Sequence, residues 1–344
     1  MKRPTITDVA RRAGVAKGTV SYALNGQPGV SEETRRRILA VAEELGWRPN
    51  PAARALSGSG SQVIGMVLAR PAMLLGVEPF LMRLTSGIEL ELSRSGFALM
   101  LKVVGDLDEE MAIYRKWASE RRVDGLLILD LRVQDPRLEL VEQLGLPATV
   151  MGDPRRHAGL SVARKDETAA MTSVVEYLAA LGHRRIVHVA GQREFLHIRQ
   201  RGRAFGATLR RLGITGTART VYADYTLERA AEITRGLLAE ASPPTALIYD
   251  NDVMAVAGAG VAREMGVDVP GELSIVAWDD SPLCQFAYPP LTAVSVDVVE
   301  YGRAATELLI GVIGGGPAGE VTAEPARLIP RGTTARAKDA PGRA

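Results

Sequence analysis

Three short runs of helical periodicity open the chain, before any strand-like pattern begins. In the first run, residues 6–13, apolar side chains recur at i, i+3, i+4 and i+7, which places them on one face of a helix that Gly14 ends. A second short helix is predicted over about 17–24. A third begins at the capping residue Ser31 and again carries its apolar residues on one face. Two helices joined by a glycine turn and followed by a supporting helix form the helix-turn-helix arrangement.

A different pattern begins at residue 63, where short β-rich runs alternate with helical ones. Such alternation predicts parallel sheets covered by helices on both faces, and more than ten elements indicate two sheets of this kind. A ligand is then expected at the carboxyl ends of the strands. The predicted strands are 63–69, 97–104, 124–130, 147–152, 185–191, 245–250 and 274–279. The predicted helices between them include 79–95, 166–181, 226–241 and 251–266.

The segment RPNPAARALSGSGS, residues 48–61, joins the two patterns. It starts with two prolines, holds a short Ala-rich helical pattern and ends in Gly and Ser. An isolated helix of this length is not stable in water, and Leu56 would be left exposed on it. By its composition alone, the segment is a plain interdomain linker.

Charge is distributed unevenly along the 344 residues, whose formal net charge is +2. Residues 1–60 contain ten Lys or Arg and five acids, which gives this part +5 and leaves −3 for the rest. A small basic domain joined to a mildly acidic body indicates a polyanionic partner for the first part only. The single cysteine, Cys284, has no internal disulfide partner. With neither a signal peptide nor a long apolar run, the sequence predicts a cytoplasmic protein without a membrane segment.

Motifs of enzymes with this alternating pattern are missing from the sequence. There is no GxGxxG after a strand, no GxxxxGK[ST], no GxSxG and no CxxC. The four histidines are scattered, and none has a second histidine at metal-ligand spacing. We therefore expect no enzyme activity, no metal and no cofactor.

The segments ITDVARRAGVAKGTVSYALNG and VSEETRRRILAVAEELGWRPNPAARAL, together with later motifs in the same order, resemble the lactose-repressor (LacI/GalR) family of bacterial transcription regulators. The resemblance covers essentially the whole chain. It implies an N-terminal all-α helix-turn-helix DNA-binding domain and an α/β body similar to periplasmic sugar-binding proteins, with two Rossmann-like subdomains. The implied domains are 1–47 for DNA binding, 48–61 for a hinge helix and linker, 62–334 for effector binding and dimerisation, and 335–344 for a disordered tail. Within the body, the N-subdomain is expected over about 62–163 and 293–325, and the C-subdomain over about 164–292 and 326–334.

The resemblance also implies which residues contact DNA. A recognition helix enters the major groove, and the hinge helix places a leucine wedge in the minor groove. The positions that match base-contacting residues are Lys17, Gly18, Tyr22, Asn50, Ala53 and Leu56. The positions that match phosphate-contacting residues are Thr5, Thr19, Ser21, Asn25, Ser31 and Thr34. Ala16 departs from the family pattern, in which a capping Ser is frequent, and the base preference stays open.

Polar residues just past predicted strand ends are candidates for contacts with an effector in the cleft. Carboxylates and an arginine that converge from different loops suit the paired hydroxyls of a sugar. The matches to family motifs include WDDS, NDVMA and the R-x-x-(G/A)-F pattern. The candidate effector-binding residues are Asp153, Arg201, Tyr225, Asn251, Asp279, Phe80 and Trp278. For Asn251 and Asp279 a capping role is the alternative, and for Phe80 and Trp278 a place in the core.

The function implied is that of a homodimeric repressor of carbohydrate-utilisation genes. It would bind a palindromic operator in double-stranded DNA and be released by a small sugar-type effector. A corepressor-dependent regulator that responds to a purine or another metabolite is the alternative. A periplasmic binding protein would not carry the first 60 residues, and a cytoplasmic sugar enzyme with a DNA-binding head would need catalytic motifs.

Overall fold

The computed structural model of the chain describes residues 4–24, 27–47, 60–154, 159–214 and 218–338. These residues form two compact units, of which one contains the N-terminal helices and the other contains most of the α/β body. The predicted DNA-contacting residues Asn25, Asn50, Ala53 and Leu56 lie outside the described residues.

The described part of the N-terminal unit contains three helices where the sequence predicts them, α1 (Ile6–Ala13), α2 (Lys17–Leu24) and α3 (Glu32–Glu44). Val9, Val20 and Ile38, one from each helix, are completely buried and form the centre of a small core. The periodicity of the sequence predicts these contacts, because each helix buries a single face.

In this unit, a left-handed glycine ends α1, and side-chain hydrogen bonds connect α3 with the end of α2. Gly14 follows α1 with φ of 67°, a left-handed conformation that glycine adopts without steric cost. The guanidinium of Arg35 in α3 donates to the carbonyl oxygens of Ala23 and Gln27, at 3.2 and 3.0 Å. These two bonds tie α3 to the end of α2.

The described residues of the body form two six-stranded sheets. The strands of the first sheet, in spatial order, are β11 (Glu320–Thr322), β5 (Ser161–Arg164), β4 (Ala148–Met151), β3 (Gly125–Ile128), β1 (Val63–Ala69) and β2 (Ala98–Val104). The strands of the second sheet are β12 (Arg327–Ile329), β10 (Thr292–Ser295), β9 (Ser274–Trp278), β8 (Ala246–Tyr249), β6 (Ile186–Ala190) and β7 (Arg219–Tyr222). The pairs from β11 to β1 and from β10 to β7 are parallel, whereas β10 and β12 are antiparallel.

Helices connect the strands, as expected for parallel sheets. The helices of the body, in chain order, are α4 (Leu74–Val77), α5 (Pro79–Ser95), α6 (Leu107–Ser119), α7 (Pro136–Leu144), α8 (Glu167–Ala180), α9 (Leu196–Arg211), α10 (Leu227–Leu238), α11 (Asp252–Glu264), α12 (Pro282–Phe286) and α13 (Val298–Ile313). The seven predicted strands and four predicted helices are all present, with ends that differ from the prediction by at most three residues.

The chain passes between the two sheets at three points, after β5, after β10 and after β11. The expected return to the first subdomain at residue 293 is therefore too early. Thr292–Ser295 pairs with both β9 and β12 of the second sheet, so the chain returns only after Ser295. Its next helix, α13, packs against α5 of the first subdomain, where a Cβ atom on Gly87 would lie 1.9 Å from the carbonyl oxygen of Val299.

The predicted disordered tail, residues 335–344, is wrong for its first residues. The amide of Ala335 donates to Ser274 Oγ at 3.1 Å, and its carbonyl oxygen lies 3.0 Å from His183 Nε2. The amide of Ala337 donates to the carbonyl oxygen of Leu181 at 2.9 Å. Residues 335–338 thus lie along the second subdomain, and 339–344 are outside the described residues.

Within the described ranges, no helix is both long enough and apolar enough to span a bilayer.

Candidate functional site

A cleft lies between the two subdomains, at the carboxyl ends of their strands. It encloses about 660 Å³, including its open mouth. Five of the seven candidate effector-binding residues line it, namely Phe80, Asp153, Arg201, Tyr225 and Asp279. The structure therefore brings together residues that are up to 199 positions apart in the sequence.

Arg201, on α9, is the centre of one buried ionic network at the cleft. Its side chain donates to Glu167 Oε2 at 2.7 Å and to Asp250 Oδ1 at 3.1 Å, and its guanidinium carbon lies 4.1 Å from the centre of the Trp278 ring. Asp250 also contacts His188 Nε2 at 2.9 Å. Burial alone would raise the pKa of Glu167, but Arg201 and Lys165 outweigh it and lower that pKa to about 2.

Arg70, which follows β1, is the centre of a second network. Its Nε and Nη2 donate to the two carboxylate oxygens of Asp130 at 2.5 and 2.6 Å, and its Nη1 donates to Glu78 Oε2 at 2.7 Å. The guanidinium carbon also lies 5.1 Å from the Tyr225 ring and 5.3 Å from the Phe195 ring, both in the other subdomain. Arg70 therefore connects the two walls of the cleft through ionic contacts on one side and cation–π contacts on the other.

Tyr225 reaches the cleft from a left-handed backbone position, with φ of 69°. Its hydroxyl lies 3.0 Å from His197 Nε2. A Cβ atom on Gly191 would lie 2.3 Å from that hydroxyl, so only glycine leaves room for the tyrosine at this point. Burial, followed by the positive charge of Arg201, lowers the pKa of His197 to about 4, which keeps this imidazole neutral at pH 7.

Asp279 differs from the other acids of the cleft because it forms no ion pair with a described residue. It follows β9 with φ of 63°, a conformation that Asp tolerates better than most residues, and it is 9% exposed. Burial raises the pKa of its carboxyl group, although Lys165 and Arg201 act in the opposite direction. A buried carboxylate without an ion-pair contact is a strong hydrogen-bond acceptor for a ligand.

Two candidate residues, Asn251 and Trp278, are not among the residues that line the cleft, and their contact with an effector stays a prediction. Asn251 caps α11, since its Oδ1 accepts a hydrogen bond from the amide of Met254 at 2.8 Å. Trp278 is 1% exposed and packs beneath the guanidinium of Arg201. Both residues stay near the site, in the capping and core roles that the sequence left open.

Phe80 and Asp153 lie in the cleft as expected. The ring of Phe80 is 5.2 Å from the Lys165 ammonium. The carboxylate of Asp153 is 45% exposed and forms an ion pair with Arg164. A ligand in the cleft would therefore contact a carboxylate that already has a cationic partner.

Several titratable lining residues are not among the sequence candidates. They share one feature, a position directly after a strand or near the start of the next helix: Arg70, Glu78, Asp130, Lys165, Glu167, Asp250 and His197. A charged residue directly after an apolar run, as at Arg70, Asp130 and Asp250, is a signal that the sequence contains. The four-residue strand β5 is too short to be recognised from the sequence pattern. For this reason Lys165 and Glu167, which follow it, are not predicted as site residues.

In the N-terminal unit, the candidate base-contacting residues of α2 are exposed. Lys17 and Gly18 are exposed, and Tyr22 is 51% exposed, which is unusual for a large ring, while Val20 and Ala23 face the core. Of the candidate phosphate-contacting residues, Thr5 and Ser31 are exposed, and Thr19, Ser21 and Thr34 are half-buried.

Three of these residues also have local structural roles. The hydroxyl of Thr5 donates to Asp8 at 2.7 Å, and Ser31 caps α3 by accepting the amide of Thr34 at 3.3 Å. Their contact with phosphate stays a prediction.

Comparisons with known proteins assign both parts of the chain. Residues 5–50 match the family described as bacterial regulatory proteins, lacI family, and residues 175–334 match the periplasmic binding protein-like domain. The HTH-type transcriptional regulator CelR of Thermobifida fusca is 31% identical over 331 residues, which cover 95% of this chain and 96% of that protein.

Solved structures agree with this assignment. The fold is similar to that of a transcriptional regulator CelR–cellobiose complex, with a TM-score of 0.73 and 28% identity over 96% of this chain and 100% of the other. It is also similar to the Lac repressor dimer bound to operator and the anti-inducer ONPF, with a TM-score of 0.83 and 26% identity over 97% and 100% of the two chains. The chain thus belongs to the LacI family of bacterial regulatory proteins, which are DNA-binding transcription regulators and not enzymes.

Proposed function

We propose that this regulator is a homodimeric repressor that leaves a palindromic operator when a sugar fills the cleft. The observation that best supports this proposal is the cleft, where carboxylates and guanidinium groups from both subdomains surround a space of about 660 Å³, including its open mouth. The pairs of neighbouring oxygens suit the adjacent hydroxyls of a sugar, and the ring of Tyr225 suits its apolar face. The sugar bound in the CelR–cellobiose complex supports the same class of effector.

The exposed face of α2 supports major-groove binding. Lys17 has the length and charge to donate to guanine O6 or N7, and Tyr22 presents a ring and a hydroxyl at the same surface. Gly18 lies beside them and allows close approach of the backbone. We also assign phosphate contacts, which orient the unit without reading the sequence, to Thr5, Thr19, Ser21, Ser31 and Thr34, and to Asn25 from its place in the sequence. Asn50, Ala53 and Leu56 would contact the minor groove.

A dimer follows from the way in which helix-turn-helix proteins read DNA. A single α2 covers only a few base pairs, and two copies related by a two-fold axis read a palindrome with half-sites about one helical turn apart. The Lac repressor neighbour is a dimer on its operator, which supports this arrangement.

Contacts between the walls of the cleft provide a physical basis for regulation. The amide of Leu196 donates to the carbonyl oxygen of Leu131 at 2.7 Å, and Arg83 Nη1 donates to the carbonyl oxygen of Asp280 at 3.1 Å. A ligand that favours this closed arrangement shifts the balance between two states of the body. Coupling of this kind between two sites is typically about 1–3 kcal/mol, or roughly 5- to 150-fold in DNA affinity.

The test uses the full-length protein and has two stages. Selection from a pool of random duplexes identifies the preferred DNA, and fluorescence anisotropy then measures its affinity with and without mono- and disaccharides. We expect a two-fold symmetric site and a sugar that weakens DNA binding at least 5-fold. With Lys17→Ala, the selected sites should lose preference at one base pair in each half-site.

Three results would contradict parts of this proposal. An asymmetric selected site would exclude the dimer on a palindrome. A sugar that strengthens DNA binding would make this a corepressor-dependent regulator. A response to purine bases alone would exclude the sugar class.

A further inference from the structure

Among the residues that the structure describes, three cations line the cleft, Arg70, Lys165 and Arg201, and each already contacts a carboxylate. Arg70 is held by Asp130 and Glu78, and Arg201 by Glu167 and Asp250, all at 3.1 Å or less. The Lys165 ammonium lies 3.2 Å from Glu167 Oε1. No cation of the described lining is therefore free of an acidic neighbour.

The acids outnumber these cations. Arg70 alone serves two carboxylates, and Asp279 has no ion-pair partner among the described residues. Burial raises the pKa of Glu78 more than Arg70 lowers it, and it raises the pKa of Asp279 more than Lys165 and Arg201 lower it. Within the described lining, acidic groups and hydrogen-bond acceptors are therefore in excess.

An anionic ligand would meet this excess at close range. Phosphate binding needs unpaired guanidinium or ammonium groups, or free amides at the start of a helix. Here α9 begins at the cleft, and its first amide, on Leu196, donates to the carbonyl oxygen of Leu131 at 2.7 Å, which leaves one amide fewer for an anion. Like charges placed together in a buried site oppose binding strongly.

For an uncharged polyhydroxyl ligand, the same excess of carboxylates favours binding. Its hydroxyl groups donate hydrogen bonds to Asp279 and to the second carboxylate oxygen of Glu78, and bonds to ionised acceptors are stronger than neutral ones. The same ligand accepts hydrogen bonds from Lys165 and Gln200, which also line the cleft. All these bonds form without adding charge.

We infer that the effector of this regulator is an uncharged polyhydroxyl compound, and that Asp279 excludes its phosphorylated derivative from the cleft. This inference rests on the proposed sugar-binding function and narrows it to one charge class. Glu78, which lies in the opposite subdomain, adds to the repulsion of a phosphorylated ligand.

The test compares matched pairs of probes on the full-length protein by thermal shift and titration calorimetry. The pairs are glucose with glucose 6-phosphate, galactose with galactose 1-phosphate, and fructose with fructose 6-phosphate; cellobiose and maltose are added as uncharged disaccharides. We expect binding within the uncharged set, and at least 100-fold weaker binding of the phosphate in any pair whose sugar binds. If only a disaccharide binds, its own phosphorylated form completes the comparison.

Asp279→Asn keeps the shape of the side chain and removes its charge. It should weaken binding of the uncharged sugar by up to about 10-fold and should reduce the discrimination against the phosphate by at least 10-fold. Asp108→Asn is the matched control, since Asp108 is exposed on α6, outside the lining, and its substitution changes the net charge equally. It should leave both affinities unchanged.

The outcomes separate this inference from the function on which it rests. A sugar phosphate that binds as tightly as its parent sugar, or more tightly, overturns the charge exclusion and leaves a sugar-responsive regulator. Unchanged discrimination in Asp279→Asn overturns the role of that residue. Binding of neither an uncharged sugar nor a phosphate contradicts the sugar class itself, and the inference fails with it.

Discussion

Replacing Arg201 with methionine is the sharpest test of the ionic structure of the cleft. Arg201 is 3% exposed and contacts two carboxylates, Glu167 and Asp250, that are themselves almost completely buried. Methionine preserves much of the volume above Trp278 but provides no hydrogen-bond donor. The substitution therefore leaves two buried acids without their main cation.

The size of the effect follows from the burial of all three groups. Removal of one partner from a buried ion pair costs about 3–5 kcal/mol in the free energy of unfolding, because the remaining charge is buried without compensation. The lowered pKa of Glu167 gives a value of similar size, to which Lys165 contributes as well as Arg201. This pKa falls from an ordinary 4.5 to about 2, which corresponds to about 3 kcal/mol of stabilisation.

The same shift fixes the pH dependence. Since the pKa of Glu167 is lower in the folded protein, its contribution is complete above about pH 4.5 and is lost as the pH falls towards 2. In Arg201→Met, the acids gain protons more readily, so acid relieves the unpaired charge. The stability gap between the parent protein and the variant should be about 3–5 kcal/mol at pH 7 and should narrow below pH 4.5.

Urea unfolding at pH 7, 5 and 4, followed by circular dichroism, measures this gap. Arg211→Met is the control on the same helix, since the Arg211–Glu176 pair is about half exposed and such pairs are worth about 1 kcal/mol or less. A gap below 1 kcal/mol at pH 7, or one that does not change with pH, would refute the reasoning.

Three further predictions concern other parts of the chain. Gly87→Ala should lower the unfolding free energy by at least about 2 kcal/mol in a thermal melt, because its Cβ would lie 1.9 Å from the carbonyl oxygen of Val299, whereas Gly76→Ala, which has open space, should not. Ser31→Ala should destabilise α3 by about 1 kcal/mol, seen as faster amide hydrogen exchange at its first turn; unchanged exchange would exclude the cap. Because the pKa of His197 is lowered to about 4 in the folded protein, the contribution of its neutral imidazole to the free energy of unfolding is complete above about pH 6.5. This contribution is lost as the pH falls from 6.5 to 4, so His197→Asn should flatten that part of a curve of unfolding free energy against pH.

Local pattern in the sequence determined much of the fold. The three N-terminal helices follow from apolar periodicity and capping residues, because a helix forms between neighbours and its buried face recurs every three or four residues. The buried strands of the two sheets follow from short apolar runs such as VIGMVLA and SIVAWD. The family resemblance added the expectation that residues after distant strands would meet in one cleft, as five of the seven candidates do.

Tertiary structure decided the features that depend on pairing between distant segments. The short strands β7, β11 and β12 carry little apolar pattern, and only their neighbours in the sheet define them. The return crossing after Ser295 likewise depends on the pairing of β10 with β9 and β12.

The charged residues of the cleft show most clearly what the sequence alone does not determine. The sequence presents Arg201 and Asp279 alike, as polar residues suited to a ligand, but the structure gives Arg201 two buried carboxylates and gives Asp279 none among the described residues. The strength of an ionic interaction depends on distance and on removal of water, and both are set by the folded packing. Residue types were therefore determined by the sequence, whereas the partner of each charge was decided only by the tertiary structure.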